Sequence, residues 1–185
     1  MGESALQNRQ SLPDEVLLFY SGHFSNERRT AEGLEQILSE YFNLTVEVQE
    51  FAGQWLRLDR QHRSHLPSRG QTQTAHNLLG QSVVIGERVW DVQSKFRVVL
   101  GPLTLKQFEQ FLPSGDGYQP LLDLTRSFAG VEYDFDVTLV LKADQVPPCC
   151  LGEQNQPAHL GWNTWLGSES RTDDVADAVF ASATL

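Results

Sequence analysis

The segment VEYDFDVTLVL, residues 131–141, places the strongest constraint on what this chain can fold into. Apolar and polar side chains alternate along it, which predicts a long β-strand with one buried face and one exposed face. The opposite, polar face carries Glu132, Asp134, Asp136 and Thr138. Three acids on one strand face are typical of a solvated surface, sometimes one that blunts the edge of a sheet.

An amphipathic helix and a second alternating strand precede it. In TAEGLEQILSEYFN, apolar residues recur with helical spacing, Thr30 suits the N-cap and Asn43 suits the far end. LTVEVQEF then alternates as a half-buried strand. Together the patterns predict a core that contains Leu34, Ile37, Leu38, Phe42, Val46, Val48, Val131, Tyr133, Phe135, Val137 and Leu139.

The remaining elements are shorter. DEVLLFYSG predicts a helix that stops at Gly22, and Pro120 lies near the start of another, where proline is tolerated. The other predicted strands are QWLRL, QSVVIGERVW and SKFRVVLGPL, and the other predicted helices are LTLKQFEQFLP and YQPLLDLTRSF.

Two long segments without periodicity interrupt these elements, at residues 59–77 and 143–158. Each is followed by a similar piece, LGQSVVIG (79–86) and LGWNTWLG (160–167), which we interpret as short strands. The order of elements is also shared between the two halves, although identity elsewhere is poor. A structural duplication and a chance likeness both remain open.

These patterns predict an α+β fold with two related helix-plus-antiparallel-sheet modules, each with a long projecting loop. The expected divisions are a polar lead-in at 1–13, modules at 14–100 and 101–170, and an acidic C-terminal tail at 171–185.

Composition excludes some classes of function. The formal charge of −10 argues against nucleic acid or an anionic membrane as the main partner, because both require a cationic surface. No apolar run reaches the ~18 residues of a membrane span, and the polar N-terminus does not suggest export. The two cysteines, Cys149 and Cys150, are adjacent and imply no disulfide framework, so a reducing cytoplasmic setting is expected.

Candidate chemistry is sparse. His62 and His65 have the spacing of some metal pairs, but with Arg60, Arg63 and Arg69 they fit better as a solvated basic loop that could meet an acidic partner. Cys149 and Cys150 could be a nucleophile or soft metal ligands, yet small apolar loop residues are the better interpretation. The three strand acids could be catalytic carboxylates, but a solvated face is favoured. We therefore predict no catalytic residue, metal ligand or cofactor.

The segment HLGWNTWLG holds two of the four tryptophans in the chain. Trp162 and Trp165 are either core residues near a sheet edge or aromatic anchors for a partner. Gly161 and Gly167 permit the backbone bends that such a segment needs.

Four segments together resemble the TssG family (also ImpH or VasB), a baseplate subunit of the bacterial type VI secretion system. They are RRTAEGLEQILSEYF, GERVWDVQSKFRVVLGPLTLKQFEQFLP with Trp90, HLGWNTWLG and DDVADAVF. The likeness runs from about residue 13 to 180 and corresponds to the C-terminal half of family members, whose further N-terminal half is absent here.

The resemblance implies a structural adaptor, not an enzyme, that bridges TssF and two TssK trimers among other baseplate components, in the cytoplasm at the baseplate beside the inner membrane. No small-molecule substrate and no membrane insertion are expected. The two long loops would each dock one TssK trimer, through Arg60, His62, Arg63, His65, Leu66, Pro67, Arg69, Val146, Pro147, Pro148, Cys149, Cys150 and Leu151. A small hydrolase and a peptide-binding module unrelated to secretion are the alternatives.

Overall fold

A computed structural model describes residues 12–26, 28–65, 78–149, 158–166 and 171–182, which belong to two compact units. One unit comprises the chain up to Glu50 and from Phe96 onward, and the other comprises Phe51–Lys95. The helices are α1 (Asp14–Phe19), α2 (Ser21–Phe24), α3 (Ala31–Phe42), α4 (Leu105–Gln110) and α5 (Tyr118–Ala129). The strands are β1 (Val46–Gln49), β2 (Gln54–Arg57), β3 (Arg88–Asp91), β4 (Lys95–Leu103), β5 (Asp134–Leu141) and β6 (Val175–Ala181).

The larger unit is built on a four-stranded sheet with the order β1-β4-β5-β6. The outer pairs, β1 with β4 and β5 with β6, are antiparallel. In the central pair, the Arg97 side chain of β4 contacts Asp136 of β5. Six residues further along both segments, the Leu103 carbonyl accepts a hydrogen bond from the N–H of Lys142, which directly follows β5. Contacts that advance together indicate parallel strands, and α4 and α5 supply the crossover that such strands need. The α+β class is confirmed, with a parallel pair at the centre of its sheet.

Helix α3 follows the predicted pattern. The Thr30 side chain accepts a hydrogen bond from the Gly33 N–H at 3.1 Å, which satisfies one free donor of the first turn. Asn43 ends the helix in the left-handed conformation, with φ of 51°. The face toward the core buries Leu34, Ile37 and Leu38.

Strand β5 differs from the prediction in where it begins and in the burial of its polar face. Val131 and Tyr133 were predicted to lie in the core, but they are 89% and 46% exposed because the strand begins only at Asp134. Asp136 and Thr138, predicted to face solvent, are each only 5% exposed. A strand between two neighbours and next to a parallel partner is buried on both faces, which alternation alone does not reveal.

Strand β6 lies where the sequence predicts only an acidic tail. Val175, Ala178 and Phe180 are buried on it, and an irregularity in the pairing falls between Leu139 and Leu141 of β5. Between these pairs β6 has one residue more than β5. The extra residue breaks the strict alternation of buried and exposed side chains from which a strand is predicted. The acidic residues around it also favour the interpretation as a solvated tail.

The smaller unit is a β2–β3 hairpin with a long connection. Trp55 lies directly opposite Trp90, and the ring centroids are 5.3 Å apart in an edge-to-face arrangement. Of the predicted strand QSVVIGERVW, only Arg88–Trp90 belongs to β3, and residues 79–82 form a turn instead. The predicted modules divide at residue 100, inside β4, whereas the compact units divide elsewhere. Internal duplication stays a prediction, which superposition of the two halves would test.

We expect Leu38→Ala to destabilise the larger unit by about 2–5 kcal/mol, because Leu38 is fully buried and its loss leaves a cavity. Chemical denaturation followed by circular dichroism measures the change. Leu18→Ala is the matched control, since Leu18 is 72% exposed. Equal stability of the two variants would contradict the packing of α3.

We expect Gly53→Ala to disturb the smaller unit, because a Cβ at this position would overlap with the ring of Trp90. Because the Trp90 ring is exposed, it can move away from the added methyl group, and that movement would change its arrangement with Trp55. The readout is the exciton signal of the Trp55–Trp90 pair in circular dichroism. Gly22→Ala is the control, since nothing lies within 4 Å of a Cβ there. An unchanged signal in Gly53→Ala would contradict the close approach of the Trp90 ring to Gly53.

Candidate partner-binding site

The first predicted docking loop is braced at its base by Arg63. Its Nε donates a hydrogen bond to the Leu58 carbonyl at 2.9 Å, and its Nη1 lies 2.9 Å from Oε1 of Glu87. The Val84 N–H also donates to the Ser64 hydroxyl at 3.0 Å. Arg63 therefore closes the loop rather than offering its charge to a partner.

The other residues predicted in this loop are placed differently. Arg60, His62 and His65 are exposed, and the first two lie in a short 3₁₀ turn. Leu66, Pro67 and Arg69 lie outside the described residues. The basic cluster is thus exposed at its described positions, with Arg63 as the exception.

The second predicted docking loop starts with a 3₁₀ turn at Ala143–Gln145. Val146 packs against the core, so it anchors the segment and does not form the apolar tip that the sequence predicts. Pro147 is half-buried, while Pro148 and Cys149 are exposed. Cys150 and Leu151 lie outside the described residues.

The two tryptophans of HLGWNTWLG pack inward. Trp165 is 7% exposed, with its ring 5.6 Å from that of Phe108 on α4. Trp162 is half-buried, 5.7 Å from Phe180 on β6. Both tryptophans therefore fix this segment to the larger unit. Gly161, predicted to permit a backbone bend, has a left-handed conformation with φ of 81°, and Gly167 lies outside the described residues.

The segment after the first loop forms a tight turn. The Leu78 carbonyl accepts hydrogen bonds from the N–H groups of Gln81 and Ser82 at 3.1 and 3.0 Å, and the Ser82 hydroxyl accepts one from the Leu78 N–H at 3.4 Å. Gly80 lies in the left-handed region with φ of 78°. We call residues 78–85 the first Leu-Gly turn.

The segment after the second loop repeats this arrangement, 81 residues further along the chain. The His159 carbonyl accepts from the N–H groups of Trp162 and Asn163 at 3.1 and 3.2 Å, and the Asn163 side-chain oxygen accepts from the His159 N–H at 2.7 Å. Gly161 takes the place of Gly80 with nearly the same φ. We call residues 159–166 the second Leu-Gly turn.

Both turns present aliphatic side chains to solvent at matching positions. Leu79 and Ile85 are each 90% exposed on the first turn, and Leu160 and Leu166 are 92% and 90% exposed on the second. The hydrogen-bonded turn restricts the backbone that carries these side chains, so less backbone freedom is lost on binding. The sequence aligns these two pieces, but it predicts strands there and does not single out the leucines as contacts.

Asp136 of β5 is buried and forms an ion pair within the sheet. Asp136 lies 3.4 Å from Nη2 of Arg97 on the neighbouring strand. Burial, and next the negative charge of Asp136, raises the pKa of Tyr118 above its ordinary value. Within the described residues, no group of three or more His, Cys, Asp or Glu side chains is arranged to hold a metal ion.

The described part of the chain contains no helix that is both long enough and apolar enough to cross a membrane.

Two solved structures share this fold. One is a chain in the cryo-electron microscopy structure of the type VI secretion system TssK-TssF-TssG baseplate subcomplex, with a TM-score of 0.69 and 20% identity, covering 94% of this chain and 71% of that one. The other is a chain in the baseplate complex of the type VI secretion system, with a TM-score of 0.59 and 21% identity, covering 98% of this chain and 49% of that one.

No curated protein matches the sequence significantly. The family model described as "Type VI secretion, TssG" matches residues 1–167, which include every segment of the resemblance except DDVADAVF. This match covers most of the chain and confirms the resemblance on independent grounds. The chain belongs to the TssG family of type VI secretion proteins.

Proposed function

We propose that this chain is a structural adaptor of the type VI secretion baseplate, which binds TssF and holds two TssK trimers through its two Leu-Gly turns and the loops that precede them. The adaptor works by binding and catalyses no reaction. Its place is the cytoplasmic baseplate beside the inner membrane.

The observation that carries the proposal is the repeated turn. The same backbone hydrogen bonds, the same left-handed glycine and the same exposed aliphatic positions occur twice, once in each compact unit. Surfaces of the same shape and chemistry bind the same kind of partner. Two equivalent sites on one chain therefore favour two copies of one partner over two unrelated proteins.

The identity of the partners is supported by the relatives. One structure of similar fold is a chain of a TssK-TssF-TssG baseplate subcomplex, and the other is a chain of a type VI secretion baseplate complex. The exposed basic residues of the first loop, Arg60, His62 and His65, and the exposed Pro148 and Cys149 of the second would extend the contacts made by the turns.

Leu79→Asp and Leu160→Asp test the proposal. Each replaces an exposed aliphatic side chain by a charge, which removes the apolar contact and would bury an unpaired carboxylate in the interface. We expect each single variant to bind one TssK trimer where the parent binds two, and the double variant to bind none. Native mass spectrometry of complexes made from purified chain, TssF and TssK gives the stoichiometry.

The control is Leu18→Asp, which changes a leucine 72% exposed on α1. It should bind two trimers like the parent, and all variants should retain TssF. A double variant that keeps its fold by circular dichroism and still binds two trimers would show that the turns are not the docking sites.

A further inference from the structure

One face of the β2–β3 hairpin has an unusual composition. Side chains two residues apart share a face of a strand, so Trp55 and Arg57 of β2 lie on the same side as Arg88 and Trp90 of β3. The pairing places Trp55 opposite Trp90 and Arg57 opposite Arg88. We call these four residues the Trp–Arg face.

This face is exposed. Trp55 is 61% and Trp90 is 52% accessible to solvent, and both arginines are exposed. Trp and Arg are the residue types most enriched among those that dominate binding energy at protein interfaces. A large aromatic pair in water thus has the composition of a contact surface rather than that of a packing defect.

The positions of Arg57 and Arg88 reduce the stability of the hairpin. Like charges directly opposite on neighbouring strands repel and destabilise the pair. Within the described part of the chain, neither Arg57 nor Arg88 forms an ion pair, although the protein carries 24 Asp and Glu residues. A carboxylate held between the two guanidinium groups would convert this repulsion into two charge-assisted hydrogen bonds.

Phe51, just before β2, is a second feature that is unfavourable for the stability of the free chain. It is 68% exposed and has φ of 58°, a left-handed conformation that bulky residues rarely adopt. Local backbone strain of this kind is concentrated at binding and switch regions.

We propose that the Trp–Arg face binds an acidic segment of a partner protein, with a carboxylate between Arg57 and Arg88 and an apolar side chain on Trp55 and Trp90. Charge complementarity points to this occupant, because two guanidinium groups that form no ion pair within the described residues lie beside aromatic rings and suit a negative, partly apolar ligand. This surface lies on β2 and β3 and shares no residue with either Leu-Gly turn, and the inference does not depend on what the turns bind.

Single-stranded nucleic acid also uses aromatic and arginine side chains. The formal charge of the chain, −10, disfavours it, because a polyanion binds through many phosphate contacts that need a largely cationic protein. A short acidic protein segment presents its charge only at the contact. A protein ligand is therefore favoured.

Site-specific photo-crosslinking in cells with an intact secretion system tests the proposal. A benzoylphenylalanine at position 55 keeps an aromatic ring on the Trp–Arg face, and mass spectrometry identifies the protein segment that it captures. The same group at position 56 is the matched control, since Leu56 is 41% exposed and lies on the other face of the hairpin. We expect an acidic segment to be captured from position 55 and not from position 56.

Charge reversal then tests the arginines. Arg57→Glu with Arg88→Glu should lower the yield of that crosslink by about tenfold or more, and Lys in place of the captured acids should restore it. Arg57→Glu alone should leave the stability of the free chain unchanged or raise it, because a carboxylate at position 57 would then face Arg88. Arg28→Glu, which changes an exposed arginine elsewhere, is the control for net charge.

Several results would overturn the inference: no photo-adduct at position 55, capture of a segment without acids, capture of nucleic acid, or a yield that charge reversal does not change. Leu79→Asp with Leu160→Asp separates this inference from the proposed function. If that double variant loses TssK but keeps the crosslink, both stand, and if it keeps TssK, only the function assigned to the turns fails.

Discussion

The larger unit depends on β5, which lies between a parallel neighbour, β4, and an antiparallel one, β6. Phe135, Val137, Leu139 and Leu141 are almost completely buried there. The parallel pairing with β4 requires a crossover, and α4 and α5 form it. The ion pair between Arg97 and the buried Asp136 joins these two strands and favours the observed pairing. The second Leu-Gly turn is then attached through Trp165 on Phe108 and Trp162 on Phe180.

This arrangement explains how the proposed adaptor presents apolar side chains to a partner. The aromatic side chains that fix the second turn point inward, and the aliphatic side chains at its ends point outward. The first turn achieves the same presentation without tryptophans, because the hydroxyls of Ser64 and Ser82 accept hydrogen bonds from the N–H groups of Val84 and Leu78. A rigid turn loses little entropy when it binds, so two or three exposed aliphatic groups can contribute usefully to affinity. In the proposed adaptor, the tryptophans position the second turn, and the leucines are the proposed contacts.

Sequence patterns predicted the elements whose structure depends on residues close together in the sequence. Helix α3 was predictable with both caps, because Thr30 and Asn43 act on their own helix ends. The burial of Asp136 and Thr138 was not, because it depends on neighbours distant in sequence. Strand β6 was missed because a pairing irregularity breaks its alternation. At the candidate site, the repeated Leu-Gly pattern was visible in the sequence. The exposure of Leu79 and Leu160 was not, because it follows from the turn conformation. Apolar content alone does not distinguish such a turn from a strand.

The central claim is that the two turns are equivalent binding sites for copies of one partner. Hydrogen–deuterium exchange of the chain with and without purified TssK measures this directly, since binding slows exchange of the amides that it covers. The account predicts similar protection at residues 79–85 and 160–166, rising together as TssK is added. Protection at neither turn, or protection at one turn while the other exchanges as in the free chain at saturating TssK, would contradict it.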